Sequence, residues 1–344
     1  MENWFGKYKQ SPQKEGFEDL IGFTYLKKLL KSCIPDSIDD EFNIIKHSYA
    51  FLLYGEAGNG KKSLALSFSG ELARNDYSFI SICGDDLIED SEKDTCKNIK
   101  EFFQNIEDNL VLKNIKNCYI FIDDIFSFTS SQIICRALSK AVQSIINNES
   151  INCIVIATVE ELAVVPMIIQ KVMLPCEVGL PNEQERELCF KVILKEIFDM
   201  PYMECEVKYD TMAKMTDGFN YGKIFNVISI ITMMLKQTVI EQAKDEGQSV
   251  KEYLEFNNIR FTRGDFIEIV ENVRKKPASK PVQSVGIQVP YAINAEMMQQ
   301  AGINSIGNPN TNVQKNDEKT ESERPKTFLE KWEALKNSDF NSVI

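Results

Sequence analysis

Histidine is almost missing: His47 is the single one in 344 residues. A metal centre built on imidazoles, or a triad that turns on a histidine base, therefore has almost no material. Cysteine is present, but the nine are odd in number and include no C-x-x-C pair. Several sit in apolar stretches, Cys118 in "NCYIFI" and Cys153 in "NCIVIA", which reads as buried thiols in a reducing compartment. Positive charge is in deficit, 39 Lys and Arg against 51 Asp and Glu, for a net charge of −12. That argues against a general nucleic-acid binder, though not against a local basic groove. No uninterrupted apolar run reaches bilayer-spanning length; "CIVIATVEELAVVPMII" comes nearest and is broken by Glu160 and Glu161. The opening "MENWFGKYKQSPQKEGF" lacks the apolar core of a signal peptide. Together these predict a soluble, cytoplasmic chain without membrane attachment.

What is there is a real core: 43% of residues are hydrophobic and 26% charged. Short apolar runs at 49–55, 77–84, 118–125 and 152–159 predict buried strands, and 176–180 an edge strand. Between them lie helical patterns, with Leu64, Leu66, Phe68 and Leu72 in one and Ile99, Phe102, Phe103 and Ile106 in the next. Strands alternating with helices predict an α/β fold, a parallel sheet flanked by helices. After Pro181 the spacing is helical throughout, which predicts a small all-helical lobe. From Pro277 the chain turns rich in Asn, Gln, Pro, Ser and Lys, which predicts a mostly disordered tail. The last stretch, 325–344, recovers helical spacing through Phe328, Trp332 and Leu335. Such a stripe either folds back on its own chain or docks in a partner's groove.

The segment "GEAGNGKKS", residues 55–63, follows the first strand directly. It fits the phosphate-loop pattern G-x-x-x-x-G-K-[ST] at Gly55, Gly60 and Lys61 but carries Lys62 where the hydroxyl belongs. A glycine-rich turn lets backbone N–H groups approach phosphate oxygens, and the following helix adds positive potential at its N-terminus. Lys61 would reach the outer phosphates. A lysine at 62 cannot ligate Mg²⁺, and Ser63, one residue on, would point about 100° away on a helix. A second match sits a strand and a helix away: "YIFIDD" ends in Asp123 and Asp124. At a strand's C-terminal end the first could hold Mg²⁺, directly or through water, and the second could orient an attacking water.

Taken together, residues 17–276 resemble the AAA family of ATPases, a P-loop NTPase sheet followed by a helical lid. "FEDLIG" is similar to the family's entry motif, which implies that Leu20, Ile21 and Gly22 line the adenine. "LLYGEAGNGKKSLALSFSGEL" resembles Walker A and "YIFIDDI" Walker B. "IATVEELAVVPMI" resembles the sensor strand, "CEVGLPNEQER" the crossing to the lid, and "MAKMTDGFNYGKI" and "FTRGDFIEIVENVR" two lid motifs. The resemblance implies ATP as ligand, with Mg²⁺ at Asp123. It implies catalysis through Asp123, Asp124 and Lys61. It implies contacts from Ile21, Gly22, Gly55, Glu56, Ala57, Gly58, Asn59, Gly60, Lys61, Lys62, Ser63 and Gly222. It divides the chain into an arm (1–16), a nucleotide-binding domain (17–180), a lid (181–276), a linker (277–324) and an end helix (325–344). A homo- or hetero-oligomer acting on a protein partner is implied; nucleic acid is not.

The chain departs from the family at the catalytic points. Lys62 replaces the magnesium-binding hydroxyl, and Asp124 stands where the family carries glutamate. The sensor asparagine should fall at Val159 or Glu160, and no arginine lies between Arg136 and Arg186, which leaves Lys171 as the cation where a finger should be. The loop after the second strand, "GDDLIEDSEKDTCK", is acidic and lacks the aromatic that grips a threaded chain. The sequence thus supports slow ATP hydrolysis coupled to assembly or remodelling of a protein partner. The alternative is a catalytically impaired module that acts as a nucleotide-regulated scaffold. A DNA-replication helper is disfavoured by the acidity.

Overall fold

The computed structural model describes residues 8–12, 16–35 and 48–275. The expected tail, its end helix and most of the arm lie outside the described residues. The described chain forms two compact units.

The first unit holds residues up to 185 together with Gly218–Lys223. Its sheet has five strands: β1 (Tyr49–Tyr54), β2 (Ser78–Cys83), β3 (Asn117–Asp123), β4 (Asn152–Val159) and β5 (Leu174–Glu177). They run in the order β2-β3-β4-β1-β5, and every pairing is parallel. The strands read as continuous apolar runs because helices cover both faces. Alternation shows only in which face each residue serves. Leu52, Ile120, Ile122, Val155 and Ala157 join one core cluster; Phe51, Leu53, Tyr119, Phe121, Ile154 and Ile156 join the other.

The first cluster packs on α3 (Glu92–Leu112) and α4 (Gln132–Asn147), through Ile99, Phe102, Phe103 and Ile106 of one and Leu138 and Val142 of the other. Both helices begin at serine caps: Ser91 accepts from Asp94 N–H, and Ser131 from the N–H groups of Ile133 and Ile134. The second cluster packs on α1 (Thr24–Lys31) and α2 (Lys61–Ala73). There Tyr119, with no exposed surface, spends its one polar atom on the Ala65 carbonyl at 2.9 Å, tying β3 to α2. Of the residues expected on the inner face of α2, Leu64, Phe68 and Leu72 are buried, while Leu66 is only partly so.

The fifth strand is at the edge, as its length suggests, but runs over 174–177 rather than 176–180. The short helix α5 (Met167–Gln170) precedes it.

The second unit spans Arg186–Asp217 and the described residues from Ile224 to 275. It takes in most of α6 (Glu183–Phe198) and α8 (Tyr221–Asp245), with α7 (Tyr209–Met215), α9 (Val250–Phe256) and α10 (Arg263–Lys275). The expectation of helices alone is corrected in one detail. Met203–Cys205 (β6) and Ile259–Phe261 (β7) pair in parallel over three residues each. Segments this short show no period, so the sequence hides them. Within this unit the guanidinium of Arg186, almost wholly buried, bonds the Ala213 carbonyl and the Asp217 carboxylate, both at 3.0 Å.

By length and composition α8 is apolar enough to cross a bilayer, although Lys223, Asn226 and Lys236 interrupt its apolar run. A core helix meets the same test. Here Ile224, Val227, Ile228, Ile231, Leu235 and Val239 are buried at helical spacing, while Met233 is exposed.

Candidate functional site

Parallel strands deliver their C-terminal ends to one sheet edge, and there the expected residues of the first unit gather. β1 ends at Tyr54, and the chain turns through Gly55, Gly58 and Gly60, with φ of 147°, 85° and 85°. Side-chain-bearing residues rarely adopt such values, so glycine is a requirement at these points. The turn is pinned on both sides. Gly55 N–H donates to the Glu160 carbonyl, and Asn59 Nδ2 donates to the Val178 carbonyl at 2.7 Å. Asn59 Oδ1 is buried and has no hydrogen-bond partner among the described residues.

Gly60 then caps α2, and the first helical turn leaves donors unused. The N–H groups of Gly60, Lys61 and Lys62 find no acceptor among the described residues. They form a cradle of the kind that takes an anion, so the loop's chemistry fits a phosphate. Lys61 folds back over the turn, its ammonium donating to the carbonyls of Gly55 and Glu56. Burial pushes its pKa down, and Glu160, Asp123, Asp124 and Glu56 pull it partly back.

Three further pieces close on the loop. Gly222 N–H donates to the Gly58 carbonyl at 2.9 Å, and Asn220 Nδ2 to the Ala57 carbonyl at 2.9 Å. The segment 218–223 thereby folds with the first unit and brings the expected Gly222 to the loop. Gly22, with φ of 80°, lies so close to the Tyr221 hydroxyl and Glu185 that a Cβ there has no room. Ile21 beside it is buried. Phe23 is itself left-handed, with φ of 58°, an outlier for a bulky residue. Its N–H donates to Glu185 Oε1 at 3.1 Å, and its ring lies 4.8 Å from that of Tyr221. A Cβ on Gly60 would sit 2.8 Å from the tip of that ring. Phe23, Tyr221, Asn220 and Glu185 were not expected as site residues, although Glu185 lies in "CEVGLPNEQER", Asn220 and Tyr221 lie in "MAKMTDGFNYGKI", and Phe23 directly follows "FEDLIG".

The aspartates occupy the end of β3, and their neighbour on β4 governs both. Thr158, 2% exposed, donates from Oγ1 to Asp123 Oδ1 at 2.8 Å. The same oxygen accepts the Asp124 N–H, also at 2.8 Å. This corrects the expected sensor position: Val159 is buried in the core, Glu160 is exposed, and the polar group that meets Asp123 is one residue earlier. A hydroxyl inside the otherwise apolar "CIVIATV" was the signal available. Asp124 has φ of 55°, and its Oδ1 accepts the Phe126 N–H at 3.0 Å. Half of its carboxylate is thus engaged in its own turn. Gly84, after β2, faces the Asp124 carbonyl too closely to carry a Cβ.

The other Asp123 oxygen belongs to Lys62, whose ammonium is 2.8 Å from Oδ2. Both oxygens of the expected metal ligand are therefore taken, one by a hydroxyl and one by an ammonium. Among the described residues no group of three or more His, Cys, Asp or Glu side chains could hold a metal ion. The residues present do not fit Mg²⁺, which takes oxygen ligands: one expected ligand is an ammonium and the other is a carboxylate already engaged at both oxygens. Ser63, partly exposed, makes no hydrogen bond to either aspartate. Lys171, at the end of α5, and Arg136, on α4, are exposed.

Burial pushes the Cys33 thiol up to about 12 and those of Cys135 and Cys176 upward as well. These are packing thiols, not nucleophiles.

Comparison with known proteins agrees with this geometry. Residues 51–174 match the family model "ATPase family associated with various cellular activities (AAA)". The chain is 26% identical over 196 residues to the "26S proteasome regulatory subunit 10B" of Dictyostelium discoideum. That alignment takes in 53% of this chain and 47% of the relative, so the chain spans about half of that protein's length. A solved structure described as "Structural Basis for Katanin Self-Assembly" overlays with a TM-score of 0.54 at 18% identity, over 78% of this chain and 87% of that one. At that identity the overlay speaks for the fold alone. The family match over residues 51–174, with the parallel sheet and the loop at its edge, supports an AAA ATPase domain in this stretch of the chain.

Proposed function

We propose that the chain is an ATP-binding AAA module in which occupancy of the nucleotide, more than its turnover, governs assembly with a protein partner. The observation that carries this reading is the set of unpaired N–H groups at the head of α2, backed by the ammonium of Lys61. In it the main-chain donors of Gly58, Gly60, Lys61 and Lys62 take the phosphates. Lys61 leaves the carbonyls of Gly55 and Glu56 to reach them. Ile21, Gly22 and the Phe23–Tyr221 pair lie by the base, with Glu56, Ala57, Asn59, Ser63 and Gly222 shaping the loop.

Hydrolysis on this reading is slow. Asp124 is the remaining candidate to orient water, and Phe126 N–H already holds one of its oxygens. A finger arginine, worth orders of magnitude in rate, has no counterpart beyond the exposed Lys171. The proteasome subunit and the katanin structure are described as parts of assemblies, which supports an oligomer with a protein partner.

The test is calorimetric titration with ATP and ADP, paired with phosphate release and light scattering. The reading expects binding, turnover far below one per second, a nucleotide-dependent change in particle mass, and loss of binding in Lys61→Ala. Turnover at the tens per second of a working ATPase, abolished by Asp124→Asn, would replace it with the remodelling enzyme.

A further inference from the structure

We infer that this site takes its nucleotide free of divalent metal, with the Lys62 ammonium as the built-in cation held by Asp123. The inference rests on the nucleotide-binding reading above and specifies the ligand of that same loop: a metal-free nucleoside di- or triphosphate.

Four observations converge. The position that should supply a hydroxyl to the metal supplies an ammonium. That ammonium is already seated, 2.8 Å from Asp123 Oδ2. The carboxylate it meets is oriented from behind by Thr158, whose hydroxyl is almost completely buried, so it does not turn freely toward another partner. No cluster of three or more His, Cys, Asp or Glu side chains among the described residues offers a metal a site of its own.

The charge balance follows the same logic. Glu56, Asp123, Asp124 and Glu160 all act electrostatically on Lys61. Four carboxylates beside a phosphate cradle repel a polyphosphate unless cations offset them. In most phosphate loops a divalent ion does this and bridges the β- and γ-oxygens. Here a second lysine does it, set in the first turn of the helix and paired with Asp123 at 2.8 Å. Because an ammonium donates hydrogen bonds and accepts none, it contacts phosphate oxygens and Asp123 at once but excludes a neighbouring cation. A metal-free triphosphate also carries more negative charge than its magnesium complex and so meets two lysines better.

The consequence for chemistry is a division of labour. An ammonium neutralises charge on the bound phosphates but does not lower the pKa of a water or hold one in line, as a metal can. Binding is retained and hydrolysis is starved of one of its usual aids.

The test uses the full chain and titrates it with ATP and with ADP, once in excess EDTA and once in millimolar magnesium. The expected result is affinity in EDTA at least equal to that in magnesium, to within about threefold. Lys62→Thr restores the hydroxyl, and in it magnesium should strengthen binding by about tenfold or more. Manganese, read by paramagnetic resonance, should associate with nucleotide-loaded Lys62→Thr and not with the nucleotide-loaded wild type. Wild-type binding that weakens about tenfold in EDTA, or manganese held by the wild type with nucleotide, overturns this inference and leaves the nucleotide reading standing. Absence of heat in both buffers overturns both. The wild-type arms need no variant, so the test survives if Lys62→Thr fails to fold.

Discussion

Replacing Thr158 by valine removes a hydroxyl and almost no volume, and it should be costly. The Thr158 oxygen makes two hydrogen bonds of 2.8 Å, donating to the Asp123 carboxylate and accepting from the Asp124 backbone. Its side chain is 2% exposed, so water does not replace what is lost. A hydrogen bond to a charged group contributes about 1.5–3 kcal/mol, and Asp123 is partly exposed, which favours the lower end. Stranding the Asp124 N–H adds about 1 kcal/mol. That bond also helps hold Asp124 at its φ of 55°, a conformation that costs an L-residue about 1–2 kcal/mol. The expected loss is therefore about 2–4 kcal/mol in urea unfolding followed by circular dichroism, with an unchanged slope. Serine at the same position should recover more than half of it. A valine variant within about 0.5 kcal/mol of wild type would refute the reasoning, because it would mean that the hydroxyl is not what holds the two aspartates.

Three other perturbations are as definite. Glu71 is 7% exposed; it accepts the Phe17 N–H at 2.6 Å and pairs with Lys31 at 3.2 Å, so Glu71→Ala should cost about 2–3 kcal/mol by the same denaturation, and Glu71→Gln visibly less. Gly84→Ala drives a methyl into the Asp124 carbonyl and should destabilise by about 1–3 kcal/mol, whereas alanine at Gly179, with open space around it, should change little. Burial, with Lys31 adding to it, pushes Lys27 from 10.5 down to about 8, although Glu185, Glu71 and Asp19 pull it back. Between those two values the unfolded chain binds the extra proton, so this group's penalty is full below about pH 8 and fades as pH rises toward 10.5. Thermal melts should show Lys27→Met more stable than wild type at pH 7, with the gap narrowing by pH 10.

Sheet and loop were legible because each is written in contiguous residues. An apolar run such as "CYIFID" has few alternatives to a buried parallel strand, and "GEAGNGKKS" carries its glycines at the three points where φ turns positive. What stayed hidden depends on pairing. Thr158 meets Asp123 because β3 and β4 align Ile122 with Ala157, and no single strand announces its register. Phe23 and Tyr221 are nearly 200 residues apart in the chain, and Asn220 Nδ2 reaches Ala57 across 163 residues. Lys62 was visible as a misfit; that it already has a partner was not.

The order β2-β3-β4-β1-β5 puts the strands that carry Asp123, Thr158 and the start of the glycine turn side by side in the middle of the sheet, each laddered to a neighbour on both flanks. Amides in such strands trade their protons for deuterons only when the whole layer comes apart. Whatever settles on the loop should therefore slow isotope uptake in β3, β4 and β1 together, far from any atom it touches, and the span of that slowing would measure how tightly the edge is bound to the centre.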